Sequence, residues 1–445
     1  MRRQKKAITF FSMIVLGLMT SLASALEFDL VEPEAAGFDR TKLEGLKAVA
    51  DQLYDDGRIP NYVIALYRGN KNFYQVARGK TGLEAGQNVD ANTIFHMASM
   101  SKPLVSTAVF RLIQEGKLNL NDPLSKFFPQ FSQMMVAPGG DFGNQFEPAN
   151  KPIEIIDLLT HTSGFSYQQA VAGFGDVGEL YDELSIFGFG SSDAEMSDHL
   201  DNLAEVPLVA QPSTQFNYSV STDVLGAIIE KITGMDLASY LDKILFEPLK
   251  MTHSQFVLTE DQVPLMSNVF GSVPFNPAAR FEVIGKVRDA EDAIDWKIGG
   301  VIPAEIFVNK PRWYSGGGGI LSSANDYATY LTMVANQGSI GEVEVLNPEF
   351  AALHSKSLVP SITSDGFRRV FGDAADYMTF GGGFGIKREP DDLEAIDYIF
   401  WAGAFNTFFW LDPKDGSIGL FLTSHWPVQY NISDRLEQLV DDARL

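Results

Sequence analysis

The segment Phe95-His96-Met97-Ala98-Ser99-Met100-Ser101-Lys102-Pro103 decides the fold of this chain. It holds a Ser-x-x-Lys pair, Ser99 and Lys102, that occurs once in the 445 residues. The pair lies at the predicted start of a helix, where residues i and i+3 share a face, so Lys102 can stand beside the Ser99 hydroxyl. The helix N-terminus also favours negative charge at that serine. The pattern indicates an activated alcohol nucleophile, and the alternative is an N-capping serine with a solvated lysine.

The composition narrows the class of protein. A chain with 45% hydrophobic and 20% charged residues can bury a large core, which predicts a globular protein. The formal net charge of -23 at pH 7 leaves no basic stripe for a phosphate backbone. We therefore expect neither nucleic acid nor an anionic membrane surface as a partner.

The sequence also excludes several kinds of active site. The sequence has Cys 0, that is, no cysteine, so it has neither a thiolate nucleophile nor a disulfide. Its 6 histidines show no spacing that would put two metal ligands on one face of a helix or strand. The Gly-x-Ser-x-Gly elbow and the phosphate-binding Gly-Lys-Ser/Thr loop are both missing. We expect no metal and no cofactor, and we interpret the glycine run at 316–319 as a close-packed turn beside the site.

The first 25 residues have the pattern of an export signal. Four basic residues precede an apolar run at 7–19, and Ala23-Ser24-Ala25 has the small-x-small form of a signal peptidase site. We predict cleavage after Ala25 and a periplasmic or secreted protein with no stable membrane anchor. The alternative is an uncleaved anchor.

Periodicity predicts an α+β fold built from both ends of the chain. A helix is expected from Asp39 to Gly57, followed by a hairpin of 62–67 and 72–77 around Gly69-Asn70. Near the other end, strands at 398–401, 407–411 and 418–423 precede a last helix capped by Ser433. The remaining patterns, at 100–114, 153–159, 223–232 and 237–245, are helical.

These elements predict an antiparallel sheet flanked by helices, with a mostly helical lobe inserted. We predict one hydrolase domain at 26–445, with an α/β lobe of 26–97 and 305–445 and a helical lobe of 98–304. The stretches 134–152 and 170–192 carry no motif, and such loops usually shape the mouth of a site. The sequence does not fix the oligomeric state.

Over residues 38–440, the chain resembles the penicillin-recognising serine hydrolases, which include class C β-lactamases, D-alanyl-D-alanine carboxypeptidases and, most closely, the class VIII esterases. The segment at 95–103 resembles the nucleophile segment of that family, and the His-Thr-Ser-Gly turn at 161–164 resembles a structural turn. The second family element is similar to 216–220 together with 223–226 and carries Tyr218, and the third points to Trp-Ala-Gly at 401–403. Further scaffold signatures lie at 115–118, 122–123, 247–252 and 317–322. The resemblance implies the β-lactamase/transpeptidase-like fold.

The resemblance and general chemistry together suggest the roles of the site residues. Ser99 would form an acyl-enzyme, while Lys102 and Tyr218 share its proton, and either of the two is open as the base. The oxyanion would bind the backbone N–H groups of Ser99 and of Ala404, the residue after Gly403.

Two departures from the β-lactamase pattern bear on the substrate. Trp401 stands where those enzymes have the lysine of Lys-Thr-Gly, and Val220 stands where they have an asparagine. We place Trp401, Gly403 and Val220 in the substrate-binding set and predict a carboxylesterase for small neutral esters. One alternative is a weak β-lactamase or D-alanyl-D-alanine carboxypeptidase. The other is a non-catalytic binding protein, which we would expect to lack Ser99, Lys102 or Tyr218, but this sequence has all three.

Overall fold

A computed structural model describes residues 28–82, 86–168, 174–186, 194–271, 301–359, 365–426 and 432–445. The predicted signal peptide at 1–25 lies outside the described residues, as do parts of the 170–192 loop. Residues 272–300 lie outside them too, so the predicted lobe boundary at 304/305 stays a prediction.

The strands of the described chain are short except around one large sheet. In chain order they are β1 (Asp29–Leu30), β2 (Asn61–Arg68), β3 (Lys71–Gly79), β4 (Phe95–His96), β5 (Met135–Val136), β6 (Glu147–Pro148), β7 (Val269–Gly271), β8 (Val301–Ile302), β9 (Leu321–Ser322), β10 (Ser339–Ile340), β11 (Val343–Glu344), β12 (Met378–Phe380), β13 (Gly385–Glu389), β14 (Asp392–Gly403), β15 (Thr407–Asp412), β16 (Ser417–Leu422) and β17 (His425–Trp426).

Eight strands of the described chain form the large sheet, in the order β1-β3-β2-β16-β15-β14-β13-β12. The sheet joins the two ends of the chain where β16 pairs with β2. Its neighbours are antiparallel except for β1 and β3, which are parallel, so the predicted all-antiparallel sheet is mixed at one edge. Because β1 precedes helix and hairpin, it reaches β3 by a crossover and not by a tight turn.

The α-helices of the described chain are α1 (Arg40–Asp55), α2 (Ser101–Gln114), α3 (Ile155–Leu159), α4 (Gly175–Glu183), α5 (Met196–Glu205), α6 (Ser221–Thr233), α7 (Leu237–Leu241), α8 (Ala324–Ala335), α9 (Pro348–Ala351), α10 (Asp365–Phe371) and α11 (Ser433–Asp442).

Most helix predictions are confirmed, with two differences at the ends. Asp39 caps α1, since its carboxylate accepts from the N–H groups of Thr41 and Lys42. Ser433 is the first residue of α11 and Ile432 occupies the cap position, so the predicted serine cap is wrong. The predicted helix at 237–245 is α-helical only as far as Leu241 and continues as a π-helical turn, Asp242–Phe246.

Strand β2 shows why the sheet is buried on both faces. Val63, Ala65 and Tyr67 pack into the larger core with α2 and α8. Their neighbours along the strand, including Ile64 and Leu66, pack into a second core with α1 and α11. Alternate residues of a strand face opposite sides, so two helical layers leave a continuous apolar run in the sequence.

Helix α2 is the central helix of the larger core. All residues from 101 to 110 are buried, because α6 and α7 pack against the helix and the glycine turn between β12 and β13 contacts Pro103, Ser106 and Phe110. Its first turn, which carries Lys102, is therefore shielded from water. No helix of the described residues is long and apolar enough to cross a membrane.

The fold class is confirmed. A sheet formed from both ends of the chain is flanked by helices, and mostly helical elements from α2 to α7 lie between those ends in sequence.

Candidate active site

Ser99 lies in a single 3-10 turn, Ala98–Met100, between β4 and α2. Ala98 has a φ of +46°, a conformation that L-residues rarely adopt, and its N–H donates to Nδ1 of His96 at 3.1 Å. The N–H of Met97 donates to Ile320 O at 2.9 Å, which ties the turn to the segment before β9. The sharp turn leaves Ser99 partly exposed while its neighbours are buried.

Lys102 is fully buried, and its ammonium group lies beside the Ser99 hydroxyl. Lys102 Nζ is 3.2 Å from Ser99 Oγ and donates to Gly317 O at 2.7 Å. The ring of Tyr218 lies 4.8 Å from Nζ and the ring of Tyr167 lies 5.7 Å from it. The interpretation as a solvated lysine is therefore wrong, and Ser99 does not cap α2, whose cap position is Met100.

Tyr218 completes this group from the segment that precedes α6. Its hydroxyl is buried and has no hydrogen-bond partner within the described part of the chain. Its ring centroid lies 4.8 Å from that of His161, 5.3 Å from that of Tyr167 and 5.5 Å from that of Trp401. The structure thus brings Ser99, Lys102 and Tyr218 together, and leaves the tyrosine hydroxyl free to bond to a substrate or to a shifted lysine.

The His-Thr-Ser-Gly turn holds the Tyr218 segment in place. His161 Nδ1 accepts from the N–H of Ser219 at 3.2 Å, and the His161 carbonyl accepts from the N–H of Asn217 at 2.7 Å. Burial, and then the charge of Lys102, hold the pKa of His161 well below its usual value. A neutral imidazole that accepts from the backbone is a structural group, in agreement with the role that the family resemblance implies.

Strand β14 packs its end directly on the Ser99 turn. A Cβ at Gly403 would lie 2.3 Å from Met97 O and 2.1 Å from Thr407 Oγ1, so only glycine fits there. The next residue, Ala404, is partly buried and packs in one small cluster with Ala98. The two predicted oxyanion donors therefore come from segments that touch.

Trp401 lies among aromatic rings at the edge of the site. The side chain is 5% exposed, and its indole N–H has no partner among the described residues. The ring centroids of Phe380 and Phe371 lie 5.1 Å and 6.2 Å from the Trp401 ring. An aromatic wall therefore stands where the β-lactamase pattern has a cation.

Val220 differs from the other predicted site residues. It is fully buried at the start of α6, where its N–H donates to Ser166 O at 3.2 Å. The structure does not bring its side chain to the accessible part of the site, so a direct substrate contact at this position stays a prediction.

The sequence analysis gave no role to two residues of the site. Tyr167 follows the His-Thr-Ser-Gly turn by three positions and lies 8% exposed beside Lys102 and Tyr218. Asp223 lies in the first turn of α6, is 3% exposed and accepts from Ser315 Oγ and from the N–H of Gly317. A tyrosine after a turn is common and gave no signal without the fold. Asp223 lies in the segment 223–226 that resembles the second family element, but the resemblance gave it no role.

The glycine run at 316–319 lies beside the site, as predicted, because Gly317 contacts both Lys102 and Asp223. No group of three or more His, Asp or Glu side chains in the described parts of the chain could hold a metal ion. A surface cavity of about 710 Å³ lies at the other end of the sheet, lined by residues that include Arg68, Lys71 and Asn336, and contains none of the site residues.

The fold and this site define a class of protein, and comparison with known proteins agrees. The model of the beta-lactamase family matches residues 46–441, and the chain belongs to that family. Esterase EstB of Burkholderia gladioli is 30% identical over 409 residues, covering 88% of this chain and 93% of that protein. A Salmonella typhimurium protein named provisionally as a D-alanyl-D-alanine carboxypeptidase is 28% identical over 390 residues, covering 83% of each.

The solved structure described as EstCE1, a hydrolase with promiscuous acyltransferase activity, superposes with a TM-score of 0.70. It is 23% identical and covers 91% of this chain and 98% of that one, which shows a shared fold. Together these findings confirm the relationship to the family VIII esterases. The chain is a serine hydrolase of the beta-lactamase family.

Proposed function

We propose that the protein is a carboxylesterase that cleaves small neutral esters through an acyl-enzyme on Ser99. The observation that carries this proposal is the fully buried ammonium of Lys102, 3.2 Å from a partly exposed serine hydroxyl. Burying an ammonium costs several kcal/mol unless it is compensated. The cost of burying Lys102 beside Ser99 therefore supports a role for this lysine in activating the serine hydroxyl.

In the proposed reaction, the Lys102–Tyr218 pair has first lost one proton, either from the ammonium or from the phenol. Ser99 Oγ then attacks the ester carbonyl, and its proton passes to the pair. The carbonyl oxygen becomes an oxyanion, which the N–H groups of Ser99 and Ala404 stabilise. The C–O bond to the alcohol then breaks, and the alcohol leaves with the proton that the pair holds. Water attacks the acyl-enzyme by the same steps and releases the carboxylic acid and free Ser99.

The surroundings of Trp401 support a neutral substrate. The aromatic wall supplies no positive charge to a substrate carboxylate, which β-lactams and D-alanyl peptides carry. On the neighbouring strand β13, Lys387 is engaged with Asp397 at 3.2 Å. The name of the Burkholderia relative supports an esterase, and that of the Salmonella relative supports D-alanyl-D-alanine carboxypeptidase activity as the second candidate.

A fluorophosphonate and a substrate panel test this proposal. The reagent should add its mass to Ser99, and Ser99→Ala, Lys102→Ala and Tyr218→Phe should each lower kcat by about 10³-fold or more, non-additively. Short-chain p-nitrophenyl esters should exceed penicillins and a D-alanyl-D-alanine peptide in kcat/KM by about 30- to 1000-fold, the effect of two lost hydrogen bonds. A Ser99→Ala variant that keeps most of its activity contradicts the nucleophile, and a penicillin that matches the best ester contradicts the substrate class.

We also propose that the protein is exported. The charged start, apolar run and Ala23-Ser24-Ala25 support this. Expressed with these residues in a Gram-negative host, the protein should be recovered outside the cytoplasm with Leu26 as its N-terminus. Full-length protein in the soluble cytoplasmic fraction contradicts the proposal.

A further inference from the structure

Asp223 contacts the turn that holds the lysine of the site. Its Oδ1 accepts from Ser315 Oγ at 2.7 Å and from the N–H of Gly317 at 3.0 Å. The carbonyl of the same Gly317 accepts from Lys102 Nζ at 2.7 Å. One residue, Gly317, therefore connects a buried carboxylate to the ammonium group that faces Ser99.

The approach of Asp223 to this turn is so close that it requires glycine. A Cβ at Gly317 would lie 2.6 Å from Asp223 Oδ2, and a Cβ at Gly316 would lie 2.6 Å from Thr222 O. A side chain at Gly317 would displace the Asp223 carboxylate, and one at Gly316 would displace the backbone of α6. The glycine run is thus explained by the fit of the α6 N-terminus against the turn.

Charge also links the two groups. Burial raises the pKa of Asp223, while the N–H of Gly317 and the charge of Lys102 both act to lower it. A carboxylate and an ammonium that are both buried reduce the cost of burying each other. Asp223 is thus placed to act on Lys102 through Gly317 and through its charge.

We propose that Asp223 is a positioning residue for Lys102, the lysine beside the proposed nucleophile Ser99. It fixes Gly317 so that the Gly317 carbonyl directs Lys102 Nζ toward Ser99 Oγ, and its negative charge offsets the burial of that ammonium group. The inference rests on the proposed function, because it assumes that Lys102 exchanges a proton with Ser99.

The test compares Asp223→Asn with a matched buried carboxylate. The Asn side chain keeps an oxygen that accepts from Ser315 and Gly317 but removes the charge. Asp326 provides the control: it is 7% exposed and accepts from the N–H of His253 at 2.7 Å and from Ser254 Oγ at 2.9 Å. Both variants lose one buried carboxylate. The bonds of the Asp326 carboxylate go to His253 and Ser254, and not to Ser99, Lys102 or Tyr218.

For Asp223→Asn we expect kcat on p-nitrophenyl butyrate to fall about 10- to 100-fold, with KM within about twofold. Removing a negative charge favours loss of the proton from the Ser99–Lys102 unit, so the acid limb of the kcat profile should move to lower pH by about one unit. Asp326→Asn should lower Tm but leave kcat below Tm and the pH profile unchanged. The proposal is overturned if both variants lose the same amount of Tm while each keeps the kcat and the pH profile of the wild type.

The rate of fluorophosphonate labelling separates this inference from the proposed function. If wild-type Ser99 is not labelled, the proposed function fails. If wild type is labelled and Asp223→Asn reacts at the wild-type rate at every pH, only the role of Asp223 fails. Should Asp223→Asn not fold, Ser315→Ala decides: it keeps the charge but loses one contact, so labelling should slow about three- to tenfold with an unchanged pH profile, and a wild-type rate overturns the proposal.

Discussion

Ala98 holds the most informative backbone conformation at the scale of single residues, because it immediately precedes Ser99 with a φ of +46°. The hydrogen bond from its N–H to His96 Nδ1 stabilises this turn. Burial lowers the pKa of His96 to about 4, so the imidazole stays neutral and able to accept near neutral pH. His96 also packs edge-on against Phe307 and Phe405, which fixes the ring.

Replacing His96 by phenylalanine should therefore weaken the Ser99 turn without emptying the space. His96→Phe removes the acceptor, which should cost about 1 to 3 kcal/mol of stability and lower kcat about tenfold. Adding Ala98→Gly should recover part of kcat, because glycine adopts positive φ without help. Thermal unfolding and ester kinetics on the two single variants and the double variant check this. A kcat of His96→Phe within twofold of wild type contradicts it.

The residues of the candidate site were predictable to different degrees. Ser99 and Lys102 are three residues apart at a predicted helix start, and Tyr218 lies in a segment with a family resemblance. These two signals were enough to predict from the sequence that the three side chains lie in one site. Tyr167 shows its importance only through its position beside Lys102, and Asp223 only through its bond to Gly317. Neither contact is encoded in a local pattern. Val220 was assigned by position in a motif, and the structure shows that this position is buried.

At the scale of elements, the contact between β14 and the Ser99 turn sets the width of the site. The strand can approach Met97 only because residue 403 is glycine. Gly403→Ala should push the strand end away by about an ångström and displace the N–H of Ala404 from the oxyanion, so we expect kcat to fall about 100-fold or more. Ester kinetics and Tm measure the effect.

A control for this substitution lies on the same sheet. A Cβ at Gly419 would lie 2.0 Å from the Trp410 ring, on β15 and away from Ser99. Gly419→Ala should therefore lower Tm with little change of kcat at temperatures where the protein is folded. Similar kcat losses in both variants would show that general loosening of the sheet, and not the position of Ala404, lowers the activity.

The elements themselves were predicted best where apolar periodicity is strong. Strand β14 runs from Asp392 to Gly403, but only 398–401 was predicted, because its first residues are exposed or half-exposed and gain strand structure from pairing with β13. Strands β12 and β13 were not predicted either. They form a short hairpin whose glycines at 381–383 and charged residues at 387–389 interrupt the apolar pattern typical of strands. Tertiary pairing decides such strands, and their own sequences do not.

At the scale of the whole molecule, buried titratable groups set the pH range of stability. Burial lowers the pKa of His96 and His354 to about 4, and His161 is shifted in the same direction. Burial has the opposite effect on two carboxyls, raising the pKa of Asp326 to about 6 and that of Glu437 to about 8. The two kinds of group therefore change stability with opposite sign: the shifted histidines make it fall as the pH drops, and the shifted carboxyls make it fall as the pH rises.

The environment of Glu437 explains the size of its shift. It projects from α11 toward the sheet and is 5% exposed. After burial, a hydrogen bond with Tyr398 and the charge of Lys387, 3.8 Å away, lower its pKa, while Asp434 and Asp397 raise it. Two neighbouring carboxylates and little water leave the protonated form favoured in the folded protein.

These groups predict a maximum of stability between about pH 6 and 7. Unfolded histidines bind protons below their usual pKa of about 6.5, and the folded ones do not, so stability falls as the pH drops from about 6.5 to 4. Folded Glu437 keeps its proton up to about pH 8, whereas the unfolded residue loses it near 4.5, so its contribution is lost as the pH rises between those values. Each proton that differs between the two states changes the free energy of unfolding by about 1.4 kcal/mol per pH unit.

Urea unfolding between about pH 5 and 9 tests this balance in the whole protein. In Glu437→Gln the decline on the alkaline side should flatten, because the variant has no proton to lose there, while the decline on the acid side should remain. The exposed Glu342→Gln is the matched control and should reproduce the wild-type profile. A wild-type profile that rises steadily from pH 6 to 8, or an alkaline decline that survives in Glu437→Gln, would show that groups other than this buried carboxyl govern the alkaline limit.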